Sequence, residues 1–212
     1  MSRMQARALR FARRDRFVSR LVLVQGLASL SVGATSALLV VLAQEQYNLP
    51  PGAFGSFILA IGVGALLGPL LLGLLARDYR HPRWLFGPYV IRGIGDVLLA
   101  VATAPPLAWL LLFVYGLNTS SGMVVYQTWL QRQVPDAMRG RVFTWLDVVW
   151  NVMKVISLGL GGWLAERAGV QMVYYIGGAM LFLSGLTGII VLGDQRLGEQ
   201  PAQKPHKDGE AE

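Results

Sequence analysis

Residues 134–165 read VPDAMRGRVFTWLDVVWNVMKVISLGLGGWLA, and the reading of this stretch decides the fold. A basic turn (Arg139, Gly140, Arg141) leads into a largely apolar run of 24 residues, 142–165. At ~1.5 Å of rise per residue, a helix of that length crosses the ~30 Å hydrocarbon core of a bilayer. Two ionisable groups, Asp147 and Lys154, lie inside the run. A charge inside a membrane helix is costly, so each marks a place where function is expected.

Composition extends that reading to the whole chain. Of 212 residues, 54% are hydrophobic and 15% charged, with a mean hydropathy of +0.48. Soluble domains carry about 25% charged residues, so much of this chain faces something other than water. The net charge is +7, which in a soluble protein would suggest nucleic acid. Its distribution argues against that partner: seven arginines stand in the first twenty residues and most others in alternate loops, a membrane-topology pattern. There is no cysteine, hence no disulfide framework and no thiolate metal site. His81 and His206 stand alone in a loop and in the tail, so no metal or cofactor is expected.

Working outward, five more apolar segments of comparable length appear: 21–43, 54–76, 84–104, 107–128 and 171–192. The first is too long for the apolar core of a signal peptide and reads as a membrane helix. The expected organisation is a basic segment at 1–20, a six-helix domain at 21–192, and a polar tail at 193–212 expected to be disordered. Thirteen Lys/Arg fall on the face holding the N-terminus and the second and fourth loops, against one, Arg167, on the other. By the positive-inside rule both termini are then cytoplasmic.

Small residues suggest close helix packing: Gly64 and Gly68 form a GxxxG, and Gly73 follows further along the segment. A faint repeat links the ends of the second and fifth segments, Gly73-Leu-Leu-Ala-Arg77 and Gly162-Trp-Leu-Ala-Glu-Arg167. These are the middle helices of two three-helix units of opposite orientation, the inverted repeat of secondary transporters. The fold class expected is an all-α integral membrane protein of six transmembrane helices in two inverted three-helix repeats.

Three stretches carry a family resemblance. LPPGAFG (49–55) leads through GVGALLG (62–68) to Gly73 and Arg77; LQRQVPDAMRGRV (130–142) holds Pro135, Asp136, Arg139, Gly140 and Arg141; GGWLA spans 161–165. Together they resemble the C-terminal six-helix half of major facilitator superfamily transporters, in the group of enterobactin exporters and macrolide-efflux proteins. The resemblance implies efflux of a small molecule through a cavity formed between two such halves, driven by an ion gradient. One half supplies one wall, so a second six-helix half is an expected partner: a second copy, a separate chain, or the missing part of a truncated gene. The competing reading is a non-transporting six-helix scaffold or gene remnant whose polar groups are merely packed.

The candidate substrate and coupling residues are Lys154, Asn151, Asp147, Asn118 and Gln25. Asp147, Asn151 and Lys154, at i, i+4 and i+7, share one helical face. The functional reading has Lys154 attracting an anionic or polar substrate and Asp147 accepting a proton. The bland reading has Asp147 snorkelling to the interface and Lys154 paired for packing. Asn118 sits mid-segment in the fourth span, which the resemblance places on the central cavity; interhelical hydrogen bonding is the competing role. Arg92 and Asp96, at i and i+4, read as a structural ion pair, with a proton relay as the alternative. No Gly-Lys-Ser/Thr phosphate loop and no nucleophile–base–acid set occurs, so neither ATP-driven work nor an enzyme is expected.

Overall fold

The computed structural model describes residues 16–75, 81–134 and 136–192. The basic segment up to residue 15, the loop at 76–80 with Arg77 and Arg80, Pro135, and the tail from 193 lie outside the described residues. The described chain is helical throughout: α1 (Arg16–Ala37), α2 (Leu39–Glu45), a short 3-10 turn (Pro51–Ala53), α3 (Phe54–Leu75), α4 (Pro82–Val101), α5 (Pro105–Gln133), α6 (Asp136–Ala168) and α7 (Val170–Leu192). Five of these helices are long and apolar enough to cross a membrane, and α1 with α2, bent by 46°, is a sixth when the pair is taken as one span.

The bend was not anticipated, and it has a local cause. In a straight helix the Thr35 carbonyl would accept the Leu39 N–H. Here it accepts the Tyr174 hydroxyl of α7 at 2.5 Å. The Thr35 hydroxyl in turn donates to the Ser31 carbonyl one turn back, at 3.3 Å. The first contact takes an acceptor out of the helical ladder and the second adds a side-chain back-bond to it, both recurrent causes of bent helices.

Two other expectations need correction. The basic turn at Arg139, Gly140 and Arg141 is not a turn: α6 begins at Asp136 and the three residues are already helical. Likewise α5 continues past residue 128 to Gln133. Hydropathy marks where a helix leaves lipid, but nothing in the polar residues beyond stops the backbone hydrogen bonding. What stops α5 is Pro135, which forces Val134 into an extended conformation (φ −99°, ψ 124°).

The helix pairing follows the expected repeat. The strongest packings are α4 on α7, α3 on α5, and α1 on α6. Exchanging the first three spans for the last three turns the α1–α6 pair into α3–α5 and leaves α4–α7 on itself. That is the pairing of two three-helix units related by a two-fold axis in the membrane plane.

Close approach is set by glycines, since lipid tails give no hydrophobic drive for helix association. A Cβ on Gly64 would strike the Phe113 carbonyl, and one on Gly116 the Ile61 carbonyl, so α3 and α5 touch backbone to backbone. Gly68 lies against the Leu117 carbonyl in the same seam. Gly73 does not belong to it: it is exposed, with nothing within 4 Å of a Cβ. Gly93 and Gly178 make the equivalent contact between α4 and α7: a Cβ on either would stand 2.6 or 2.7 Å from the other's carbonyl oxygen.

Two apolar clusters occupy the ends of the bundle. Phe86, Trp129, Leu130 and Val142 pack at the end where α4 and α6 begin. Leu42, Phe57, Leu112 and Tyr174 pack at the other. Between them the interior is unusually polar, and α1 carries much of that polarity. Ser31 donates to the Gly177 carbonyl at 2.5 Å, Ser157 of α6 accepts the Ala34 N–H at 2.9 Å, and Ser184 donates to the Val24 carbonyl at 2.9 Å. These bonds fix α1 against α6 and α7.

Candidate substrate cleft

A cleft of about 250 Å³ opens between α1, α4, α5 and α6. Its polar groups are Gln25, Arg92, Asn118, Thr119 and Asp147; its aromatic walls are Tyr89, Tyr126 and Trp150. The lining runs from Leu85, near the start of α4, to Arg92, ten residues in from Pro82, or ~15 Å along the helix. The open side is the surface on which Thr119, Met123 and Asp147 are exposed.

On the cleft wall α4 and α5 meet at a proline. Pro88 lies inside α4, and its ring fills the space beside Gly122, 3.1 Å from where a Cβ would stand. The Asn118 side-chain N–H donates to the Pro88 carbonyl at 2.5 Å. Asn118 thus bonds α5 to α4 and also lines the cleft. Gln25, 8% exposed, accepts the Tyr89 hydroxyl, and Tyr126 lines the cleft with it. Three helices therefore line the cleft here.

Arg92 and Asp96 do not close into the ion pair the sequence suggested. Both are buried, at 8% and 2% exposure. The Arg92 guanidinium instead donates to Ser36 Oγ at 3.2 Å and stacks over the Tyr115 ring, 4.2 Å from its centroid. Its Nε and Asp96 Oδ2 have no hydrogen-bond partner. Thr35, at the bend of the first span, lines the same small cavity as Asp96. Arg92 lines the cleft and also the small cavity of about 20 Å³ that contains Asp96.

Of the five residues expected at a site, the structure brings Gln25, Asn118 and Asp147 together. Asn151 is exposed and its side chain donates to the Asp147 carbonyl of its own helix at 2.8 Å. Lys154 is half-buried, lies outside the cleft lining, and has no hydrogen bond or ion pair among the described residues. Its backbone carbonyl packs against Gly33. In the expected loop motif, the Arg139 guanidinium donates to the Gln131 carbonyl at 2.5 Å and ties the start of α6 to the end of α5. Gly140 and Arg141 are exposed. Sequence reasoning missed Tyr89 and Trp150. Both stand three residues from a charged lining group, Arg92 and Asp147, on the same face; that spacing was the available signal.

Long apolar helices in paired three-helix units define an integral membrane protein with the repeat pattern found in secondary transporters. The chain belongs to the major facilitator superfamily, whose family model matches residues 21–211. It is 27% identical over 206 residues to the enterobactin exporter EntS of Citrobacter koseri, covering 93% of this chain and 47% of that protein. The multidrug efflux pump Tap of Mycolicibacterium fortuitum is 22% identical over 141 residues (66% and 34%). The niacin transporter NiaP of Acinetobacter baylyi is 26% identical over 137 residues (63% and 30%). The chain thus spans about half the length of the first of these, and less of the others. No solved structure matches it significantly.

Proposed function

We infer that the chain forms one half of an efflux-type secondary transporter, driven by an ion gradient, with the cleft as its wall of the substrate path. The observation that carries this reading is the cleft itself: amide, guanidinium, carboxylate and aromatic groups from four helices converge on one mid-depth opening. Exposed Thr119, Asp147 and Asn151 beside it would be costly against lipid. They call for water or a protein surface opposite, and a second six-helix unit supplies both. The relatives of about twice the length, two of them named as an exporter and an efflux pump, agree with that arrangement. Positive-inside bias puts both termini of the chain on the cytoplasmic side of a bacterial plasma membrane, and the cleft then lies toward the cytoplasm.

The test is accumulation of a panel of small aromatic compounds in an efflux-deficient bacterial host expressing the chain. Wild type should lower the accumulation of at least one compound several-fold, and an uncoupler should abolish the effect. Met123→Trp, which fills the cleft from an exposed lining position, should abolish it too. Export by Met123→Trp at the wild-type rate would remove the cleft from the path.

A further inference from the structure

We propose that the cleft takes an organic anion with a planar body, that Arg92 is its binding cation, and that Asp96 is an internal competitor for the same guanidinium. The inference rests on the reading of the cleft as a substrate path and names the class of substrate.

Three observations carry it. First, Arg92 is buried at the inner end of the cleft but not neutralised: its partners are a serine hydroxyl and a tyrosine ring, and Nε is unpaired. A buried guanidinium without a salt bridge retains donors for a bidentate acceptor, which a carboxylate or phosphate matches in geometry. Second, the groups beside it suit a planar molecule bearing such an acid. Tyr89, Tyr126 and Trp150 offer ring faces, and Gln25 and Asn118 offer amide edges. Third, Asp96 stands one turn along α4, with Oδ2 unpaired and Arg92 as the positive charge acting on it. An arginine between a cleft and a buried carboxylate, bonded fully to neither, has a choice of partner.

Asp147 also lines the cleft, but it does not cancel this charge. It is exposed, where water and salt weaken its field, and it sits on the open side. Arg92 is in the low-dielectric interior, so its charge dominates the inner end.

The probes are radiolabelled naphthalene-2-carboxylate and its neutral isostere naphthalene-2-carboxamide. Their binding is measured by equilibrium dialysis against the full chain in lipid nanodiscs, with empty nanodiscs subtracted. The carboxylate should bind about tenfold more tightly, the worth of one charge-assisted bidentate contact. Arg92→Gln should erase that preference and spare carboxamide binding. Asp96→Asn should tighten carboxylate binding several-fold, an effect that a purely structural role for Asp96 would not produce. If Arg92→Gln loses both probes through misfolding, Arg92→Lys decides, and it must keep a preference for the anion. A preference that survives Arg92→Gln, or weaker carboxylate binding in Asp96→Asn, overturns the proposal. Equal binding of both probes, blocked by Met123→Trp, overturns the anion assignment and leaves the cleft standing. Absence of binding by either probe, with Met123→Trp exporting normally in cells, overturns both.

Discussion

The Tyr174 hydroxyl donates to the Thr35 carbonyl at 2.5 Å, joining positions 139 residues apart in the sequence. The bond sits where the first span bends by 46°, next to the small cavity that Thr35 and Asp96 both line. A single tyrosine thus takes an acceptor out of the α1 ladder and locks the last span to the first. Removing the hydroxyl leaves a buried carbonyl to find another donor, at a cost of about 1–3 kcal/mol unless the helix re-forms.

Tyr174→Phe should therefore lower stability in detergent by about 1–2 kcal/mol and let Leu39 recover its helical acceptor. Spin labels at positions 27 and 44, on either side of the bend, should move apart in double electron–electron resonance. An unchanged distance would mean that the bend is fixed by other contacts.

The α3–α5 seam gives a sharper contrast. Gly64→Leu and Gly116→Leu must push backbone from backbone, and each should cost at least 1–3 kcal/mol, as overpacking does. Gly73→Leu should cost little, because its Cβ meets open space. The yield of monodisperse protein after solubilisation checks this. Equal tolerance of all three would refute the packing seen at Gly64 and Gly116.

Lys154 and Arg92 separate two accounts of the charge in the membrane. The sequence singles out Lys154 by depth and by the face it shares with Asp147. The structure puts Arg92 at the cleft and Lys154 beside Gly33, outside the lining. Lys154→Ala should therefore leave ligand binding to the chain in nanodiscs within about twofold of wild type, since it removes no cleft contact. Tenfold weaker binding, measured by dialysis, would restore Lys154 to the site.

Much of the fold was legible because membrane helices declare themselves by length and polarity. The span count and the inverted pairing both follow from runs of 21 to 24 apolar residues and a short glycine repeat. What stayed hidden depends on contacts between distant segments. The bend needs Tyr174 to find Thr35, and no local pattern near residue 38 announces it. Arg92 and Asp96 at i, i+4 looked like a pair because helical spacing permits one. Ser36 and Tyr115, from two other helices, supplied other partners for the guanidinium. The polar stripe on α6 is real as spacing, but a helix face is wider than a cleft: of its three members, only Asp147 reaches the opening.

The central claim is that the cleft at Thr119 is a water-filled path, whereas the outer face of α7 lies in lipid. The chain has no cysteine, so single substitutions report without background. The direct measurement is the rate at which a water-soluble maleimide modifies Thr119→Cys and Leu183→Cys in inverted membrane vesicles. Both side chains are exposed in the structure, one on the cleft and one on the α7 surface. Thiolate must form for reaction, and it forms in water, not in hydrocarbon. Thr119→Cys should react at least about tenfold faster than Leu183→Cys. Equal, slow modification at both positions would contradict the account.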